Sequence, residues 1–331
     1  MLIQRLILKR AARAWRKAPG AEVPTICVGN ITVGGTGKTP HTEMILRLLR
    51  DLRPETPLAV LSRGYKRKSK GYQLLLTETS ASFGGDEPVQ IKRKFPSVAV
   101  AVDKNRVEGC KNLVDEGAGL IVLDDAFQYR KLHASLNIVL VNWNRPVFED
   151  RLLPFGRLRD LPSRIQDADI VIVTKCPHEL EPGDRDHWRS RLKLRDDVPL
   201  YFTTVDYDTP VPVFPEEADQ RYNYSKTVIL FSGIADDRCI RAHLSDTYKI
   251  VDVLRFPDHH AYGAADMQRI AAAVRRYPTA ALVTTEKDAV RVLDCKKVDE
   301  SIRKRLFAVP VTADFVSADD REDFVRRLST P

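Results

Sequence analysis

The sequence predicts an α/β protein: a mainly parallel sheet flanked by helices, followed by a second, smaller α/β unit. Three observations carry this. Short runs rich in Val, Ile and Leu alternate with helical stretches from Thr25 onward. A glycine-rich turn separates the first run from the first helix pattern. A charged, proline-bearing stretch of little periodicity interrupts the alternation over 176–225. With 331 residues, 43% of them hydrophobic, the chain can bury two cores.

Residues 1–20 read as a basic amphipathic helix. Leu2, Leu6 and the stem of Lys9 share one stripe, and Leu8, Ala11, Ala12 and Trp15 continue apolar surface beside it. Arg5, Arg13, Arg16 and Lys17 supply charge. Such a segment either lies in the headgroup region of a bilayer or packs on its own domain. It is not a secretory signal, because basic residues break its apolar patches. No run in the chain reaches the roughly 18 apolar residues of a membrane span.

Residues 21–200 hold the first unit. Its strands are expected at 25–28, 58–61, 98–102, 120–123, 138–141 and 170–173. They are continuously apolar, as strands covered on both faces of a parallel sheet are. A helix is expected over 104–116, with Val107, Cys110, Leu113 and Val114 on one face and Asp103 as its cap. Residues 201–225 read as linker. The second unit, 226–331, has strands at 227–232, 250–255, 281–285 and 307–311. One of its helices carries Met267, Ile270, Ala271 and Val274, and a last helix carries Phe324 and Leu328.

The turn after the first strand is the most informative segment. Residues 28–40 read Val-Gly-Asn-Ile-Thr-Val-Gly-Gly-Thr-Gly-Lys-Thr-Pro. Gly34, Gly35 and Gly37 allow positive φ, which turns backbone N–H groups inward, and the helix opening at Lys38 adds free donors. Lys38 can reach the β and γ phosphates of a nucleotide, and Thr39 can offer its hydroxyl to Mg²⁺. Thr32 occupies the first glycine position of the usual phosphate-loop pattern and Thr36 lies inside it. The loop therefore predicts ATP as the bound nucleotide, with Mg²⁺.

A metal-binding partner for such a loop is an apolar strand ending in acid. Residues 120–125 supply it, so Asp124 and Asp125 are candidate Mg²⁺ ligands at the same sheet edge. Asp86 or Glu87 sits in a turn before a helix with Pro88 in its first turn. Two adjacent histidines, His259 and His260, follow Asp258. Five cysteines at 27, 110, 176, 239 and 295 show no CxxC spacing, which predicts free thiols in a reducing compartment rather than disulfides or structural zinc. The formal net charge of +8 suits a phosphorylated substrate or an anionic membrane surface. Nucleic acid is not expected, because the basic stripes lack interleaved aromatics.

Taken together, these blocks resemble the tetraacyldisaccharide 4'-kinase family. The resemblance rests on the loop at 28–40, Leu-Ser-Arg-Gly-Tyr at 61–65, Gly-Asp-Glu-Pro at 85–88 and Leu-Asp-Asp-Ala-Phe-Gln at 123–128. It continues through Arg-Leu-Leu-Pro at 151–154, Phe-Pro-Asp-His at 256–259 and Thr-Glu-Lys-Asp at 285–288. The chain departs from the family pattern at Ala126, Arg157 and Asp160, and it shows a short basic helix where a longer apolar anchor is usual. The resemblance implies two α/β/α units joined by a short two-stranded link, with the active site between them. It implies transfer of the ATP γ-phosphate to the 4'-hydroxyl of a lipid A precursor disaccharide, with Asp86 and His259 acting together at that hydroxyl. A monomer attached peripherally at the cytoplasmic face of the inner membrane is the matching expectation. The competing readings are a P-loop ATP-dependent ligase acting on a small soluble acid, and a GTPase switch. The second lacks a guanine-reading [NT]KxD, since Pro177 stands where the Asp is required.

Overall fold

The computed structural model describes residues 2–329, apart from the side chains of Leu2, Ile3 and Arg5, so the expectations on Leu2 and Arg5 lie outside the described residues. The strands in chain order are β1 (Thr25–Gly29), β2 (Leu58–Ser62), β3 (Gln73–Leu75), β4 (Ala99–Val102), β5 (Leu120–Asp124), β6 (Leu136–Asn142) and β7 (Ile170–Thr174). They continue with β8 (Leu200–Tyr207), β9 (Val211–Pro212), β10 (Thr227–Ser232), β11 (Lys249–Arg255), β12 (Ala281–Thr285), β13 (Leu306–Val309) and β14 (Val311–Phe315).

Two sheets result. The larger has nine strands in the order β14-β8-β7-β6-β1-β5-β2-β4-β3, and the smaller has five in the order β11-β10-β12-β13-β9. Pairing is parallel in the middle of both. Antiparallel partners close only the edges, at β3, β14 and β9. The central strands β1, β2, β5 and β7 are buried along their whole length, which is why they read as unbroken apolar runs. Separate apolar clusters cover the two faces of the large sheet, and two more cover the small one.

The expected linker and second unit differ from what forms. Residues 201–207, expected as linker, instead continue β8 of the large sheet. The expected strand at 307–311 breaks at Pro310, which has no N–H to donate to a ladder. Beyond it β14 pairs with β8, with Val311 opposite Tyr207 and Phe315 opposite Thr203. The final helix, Ala318–Leu328, packs Phe324 edge-on against Tyr201 with ring centroids 5.6 Å apart. Residues 311–329 therefore belong with the first sheet, not with a continuous 226–331 unit. The chain crosses between sheets twice, and Asp208 N donates to Pro310 O (3.0 Å) where the crossings meet.

Two local expectations also change. The helix at Arg106–Asp115 is capped by Asn105, whose side chain accepts from Glu108 N, while Asp103 accepts from Asn105 N one step earlier (2.9 Å). Val107 is exposed; Cys110 and Leu113 are buried and Val114 packs beside them. The N-terminal helix, Leu2–Trp15, docks by the face bearing Leu8, Ala11, Ala12 and Trp15. Trp15 is buried with the Arg164 guanidinium 3.7 Å over its ring. Leu6 and Ile7 point outward.

Candidate active site

The phosphate loop joins β1 to the helix Lys38–Leu52. Gly34, Gly35 and Gly37 have φ of 67°, 68° and 78°, a region open to glycine at no steric cost. Gly37 is the N-cap, and no side chain caps the helix, so its first N–H groups are left for an anion. The loop is held from behind. Asn30 donates to Thr36 Oγ1 (2.6 Å), Asn142 donates to Gly35 O (2.9 Å), and the Thr174 hydroxyl donates to Thr36 O (2.9 Å). His41, on the same helix, is fully buried. Its Nδ1 lies 2.7 Å from Gly37 O and its Nε2 lies 2.8 Å from Thr203 Oγ1. A carbonyl can only accept, so Nδ1 carries the proton and Nε2 accepts from the threonine. Burial pushes the imidazole down to about 4, so it stays neutral.

Strand β5 lies parallel to β1 with Asp124 opposite Val28, which brings its acidic end to the mouth of the loop. Asp125 follows in a left-handed conformation, φ 49°. The Lys38 ammonium stands 3.9 Å from Asp125, and Arg159 donates to both carboxylate oxygens of Asp125 and to Asn30 Oδ1. Burial would raise the Asp125 carboxyl, but Lys38 and Arg159 outweigh it and hold it low. Asp124 differs. Burial, then the negative charges of Glu87 and Asp125, push its carboxyl up to about 6. Its Oδ2 accepts from Ser62 (3.0 Å), while its buried Oδ1 has no hydrogen-bond partner among the described residues. An orphaned carboxylate oxygen under the negative charges of Glu87 and Asp125 fits a Mg²⁺ ion that takes few protein ligands; no three acids among the described residues gather closely enough to cage one by themselves. Such an ion takes one or two carboxylates and fills its shell with phosphate oxygens and water.

The third group spans the two sheets. Asp86 opens the helix Asp86–Lys94 on the large-sheet side, and His259 lies in the loop after β11 on the other. Three nitrogens converge on Asp86 Oδ2: His259 Nδ1 at 3.1 Å, Arg291 Nε at 2.8 Å and Arg291 Nη2 at 2.6 Å. Burial would raise the Asp86 carboxyl, yet the bonds from His259 and Arg291 leave it below the ordinary carboxylate range. A carboxylate can only accept, so the 3.1 Å contact to Asp86 puts the proton on His259 Nδ1 and leaves Nε2 a lone pair; the longer approach of Arg291 Nη2 to Nδ1 (3.3 Å) is then not a hydrogen bond. His259 itself sits at φ 61°, pinned by its N–H to Gly233 O (3.1 Å). Beside it, Lys287 on the helix Glu286–Leu293 pairs with Glu87. The Lys287 charge holds the Glu87 carboxyl low against its burial, and Lys38 adds to that effect. Electrostatically, then, the phosphate-loop lysine, the β5 acids and the Asp86–Glu87 turn form one cluster.

Of the residues singled out from sequence, Thr32, Gly34, Gly35, Thr36, Gly37, Lys38 and Thr39 lie between β1 and the first turn of the helix that follows it, Asp124 and Asp125 end the neighbouring β5 with Asp125 3.9 Å from Lys38, and Asp86 contacts His259. Sequence reading missed Arg291, Arg159, Asn30 and His41. Arg291 was findable in principle, since it follows Asp288 by three residues on one helix face. Asn30 and His41 carry no pattern that marks them.

A phosphate loop on the central strand of a parallel sheet, with the acidic strand beside it, defines the P-loop kinase fold. The comparisons narrow this. The chain belongs to the tetraacyldisaccharide-1-P 4'-kinase family, whose profile matches residues 1–330. It is 40% identical over 324 residues to a tetraacyldisaccharide 4'-kinase of Phocaeicola vulgatus, covering 93% of this chain and 87% of that one. A protein of the same name from Flavobacterium johnsoniae is 37% identical over 303 residues, covering 91% and 85%. Among solved structures, LpxK from Aquifex aeolicus in complex with ATP superposes with a TM-score of 0.76 at 26% identity, over 99% of this chain and 96% of that one.

Proposed function

We propose that this chain is an ATP-dependent kinase that transfers the γ-phosphate to the 4'-hydroxyl of a tetraacylated glucosamine disaccharide 1-phosphate, a lipid A precursor. Family membership supports the reaction, and it does not favour the soluble-acid ligase reading. The observation that carries the residue assignment is the Asp86–His259 pair, formed across two sheets next to a phosphate loop.

Phosphoryl transfer depends chiefly on positioning and on neutralising charge. In this reading the N–H groups of Gly34 to Thr39 cradle the phosphates and Lys38 balances the β and γ charges. Asp124 and the Thr39 hydroxyl would hold Mg²⁺, with Asp125 held nearby by Arg159. When bound, the ion withdraws charge from the phosphate oxygens. Asp86 fixes the Nδ1–H tautomer of His259, and His259 Nε2 takes the proton of the sugar hydroxyl as it attacks. The pair exists only when the two sheets approach, so closure assembles the acceptor site and expels water from it.

Among the described residues no helix is long and apolar enough to cross a membrane. Peripheral attachment of a monomer to the anionic cytoplasmic face of the inner membrane, through the basic N-terminal helix, fits an acceptor that resides in the bilayer. The test is transfer of label from ATP to the precursor disaccharide. The wild type should phosphorylate it, and Lys38→Ala should not. Asp86→Ala and His259→Ala should cut turnover by about a hundredfold or more while ATP still binds. Wild-type rates in either would refute the assignment.

A further inference from the structure

The turn after β6 presents three successive apolar residues to solvent. Leu153 is 42% exposed and Phe155 is 72% exposed, with Pro154 exposed between them. A Phe this exposed forfeits most of the free energy its burial would give. The turn is nevertheless rigidly built. Leu152 and Leu158 on either side are buried. Leu153 N donates to Leu158 O (3.0 Å), Phe155 N to Leu152 O (3.0 Å) and Leu158 N to Arg151 O (2.9 Å). The Asp150 carboxylate accepts from Arg151 N and Arg157 N. The apolar tip is thus held outward by its own backbone.

Two features give the tip a partner. Exposed Arg151 and Arg157 flank it, so an apolar point is ringed by positive charge. The N-terminal helix lies alongside, since Gln4 donates to Leu153 O (3.3 Å), and that helix turns Leu6 (54% exposed) and Ile7 (61%) outward with exposed Lys9, Arg10 and Arg13 around them. Both surfaces combine apolar side chains with cations, the chemistry that suits the headgroup boundary of an anionic bilayer.

The tip is also bonded to the phosphate loop. Thr32 bridges Leu158, Val33 N donates to Arg157 O (2.9 Å), and Arg159 N donates to Ile31 O (2.8 Å). We infer that Leu153, Pro154 and Phe155 form a second bilayer-contacting element which, with the outer face of the N-terminal helix, seats the mouth of the phosphate loop at the lipid surface. The tip enters below the headgroups, and Arg151 and Arg157 meet lipid phosphates. A lipid-borne acceptor then needs to lift only its sugar to reach the cleft. The inference rests on the lipid-kinase reading above, and its test is separable from that reading.

The full-length protein is sedimented with vesicles of phosphatidylcholine and phosphatidylglycerol (3:1) and with phosphatidylcholine alone. The double variant L153S/F155S should bind the anionic vesicles about thirtyfold more weakly than wild type. Arg151→Gln and Arg157→Gln should each cost about fivefold at low salt and less at high salt. In detergent micelles with dispersed acceptor, L153S/F155S should retain wild-type turnover and melting temperature. Unchanged vesicle binding by L153S/F155S overturns the inference. So does an equal loss of turnover in micelles, which would place the tip in the catalytic site, or a wild-type dimer in solution that L153S/F155S dissolves. As a second probe, F155W fluorescence should shift to the blue on anionic vesicles and be quenched by brominated lipid, relative to the three native tryptophans; no shift overturns it equally. Loss of transfer by the wild type itself would instead count against the kinase reading.

Discussion

Replacing Arg291 by Met removes the cation that ties the acceptor-side pair to the smaller sheet. The guanidinium donates twice to Asp86 Oδ2, once to Asp288 Oδ1 (2.9 Å) and once to Gly233 O (2.9 Å). Its side chain is 5% exposed, and that of Asp86 is 20% exposed. Breaking a buried pair by deleting one partner costs about 3–5 kcal/mol, because the other charge stays behind. Asp288 retains Thr285, Tyr262 and Gly233 as donors, so most of this falls on Asp86. The pH effect has a definite sign. The folded-state Asp86 carboxyl lies below its unfolded value, so its stabilisation is present above the unfolded value and is lost as pH falls through the folded one. Without Arg291 the carboxyl rises. The acid limb of kcat/KM and the acid unfolding edge should both move to higher pH in R291M. R291K, which keeps the charge but not the fork, should fall between. The assay is the pH profile of kcat/KM beside thermal unfolding. An acid limb that stays put in R291M, with stability alone reduced, would refute the claim that this arginine sets the ionisation of Asp86.

Three further outcomes follow from the geometry. His41→Asn keeps a donor near the Nδ1 position and should leave KM for ATP within about threefold of wild type. His41→Gln keeps only the contact to Thr203 and should raise it about tenfold, read by steady-state kinetics at saturating acceptor. The wild type should also lose about 3 kcal/mol of stability as pH falls from 6.5 to about 4, because unfolded His41 takes up a proton there and the folded form resists; both His41 variants should flatten that slope in denaturant titrations. Gly29→Ala would set a methyl 2.5 Å from Phe127 Cβ and 3.1 Å from Phe127 N. It should lower the melting temperature and weaken ATP binding together, by calorimetry.

Much of this was legible in the residues because parallel strands leave an unbroken apolar signature. β1, β5 and β10 lie within a residue of where the pattern puts them. The loop was legible for the same reason, since glycines before a Lys–Thr pair have few other uses. The strands β3, β8, β9 and β14 were not found. β3 and β9 are two or three residues long, and β14 (Val-Thr-Ala-Asp-Phe) is a partly buried edge strand that lacks the unbroken apolar run of the central strands. β8 begins as Leu-Tyr-Phe but lies within a charged stretch that suggested linker. The site divides similarly. Asp86 and His259 came as parts of the family's recurring blocks, whereas Arg291 acts through a contact 205 positions away in sequence that no local window contains.

The doubled passage at Asp208 and Pro310 has a consequence for how the molecule comes into being. The nine-stranded sheet cannot be finished from the first two hundred residues, because its outermost ribbon and the helix that seals Phe324 against Tyr201 are made last. A ribosome-bound chain must therefore hold an incomplete nucleotide-binding layer, with β8 as a bare edge, until the smaller sheet has been laid down. The smaller sheet is joined to the larger by two adjacent stems, where Asp208 N donates to Pro310 O, and by the ion pairs of Asp86 and Glu87 with Arg291 and Lys287. It cannot be trimmed away without taking β14 and its helix from the layer that holds the phosphate loop.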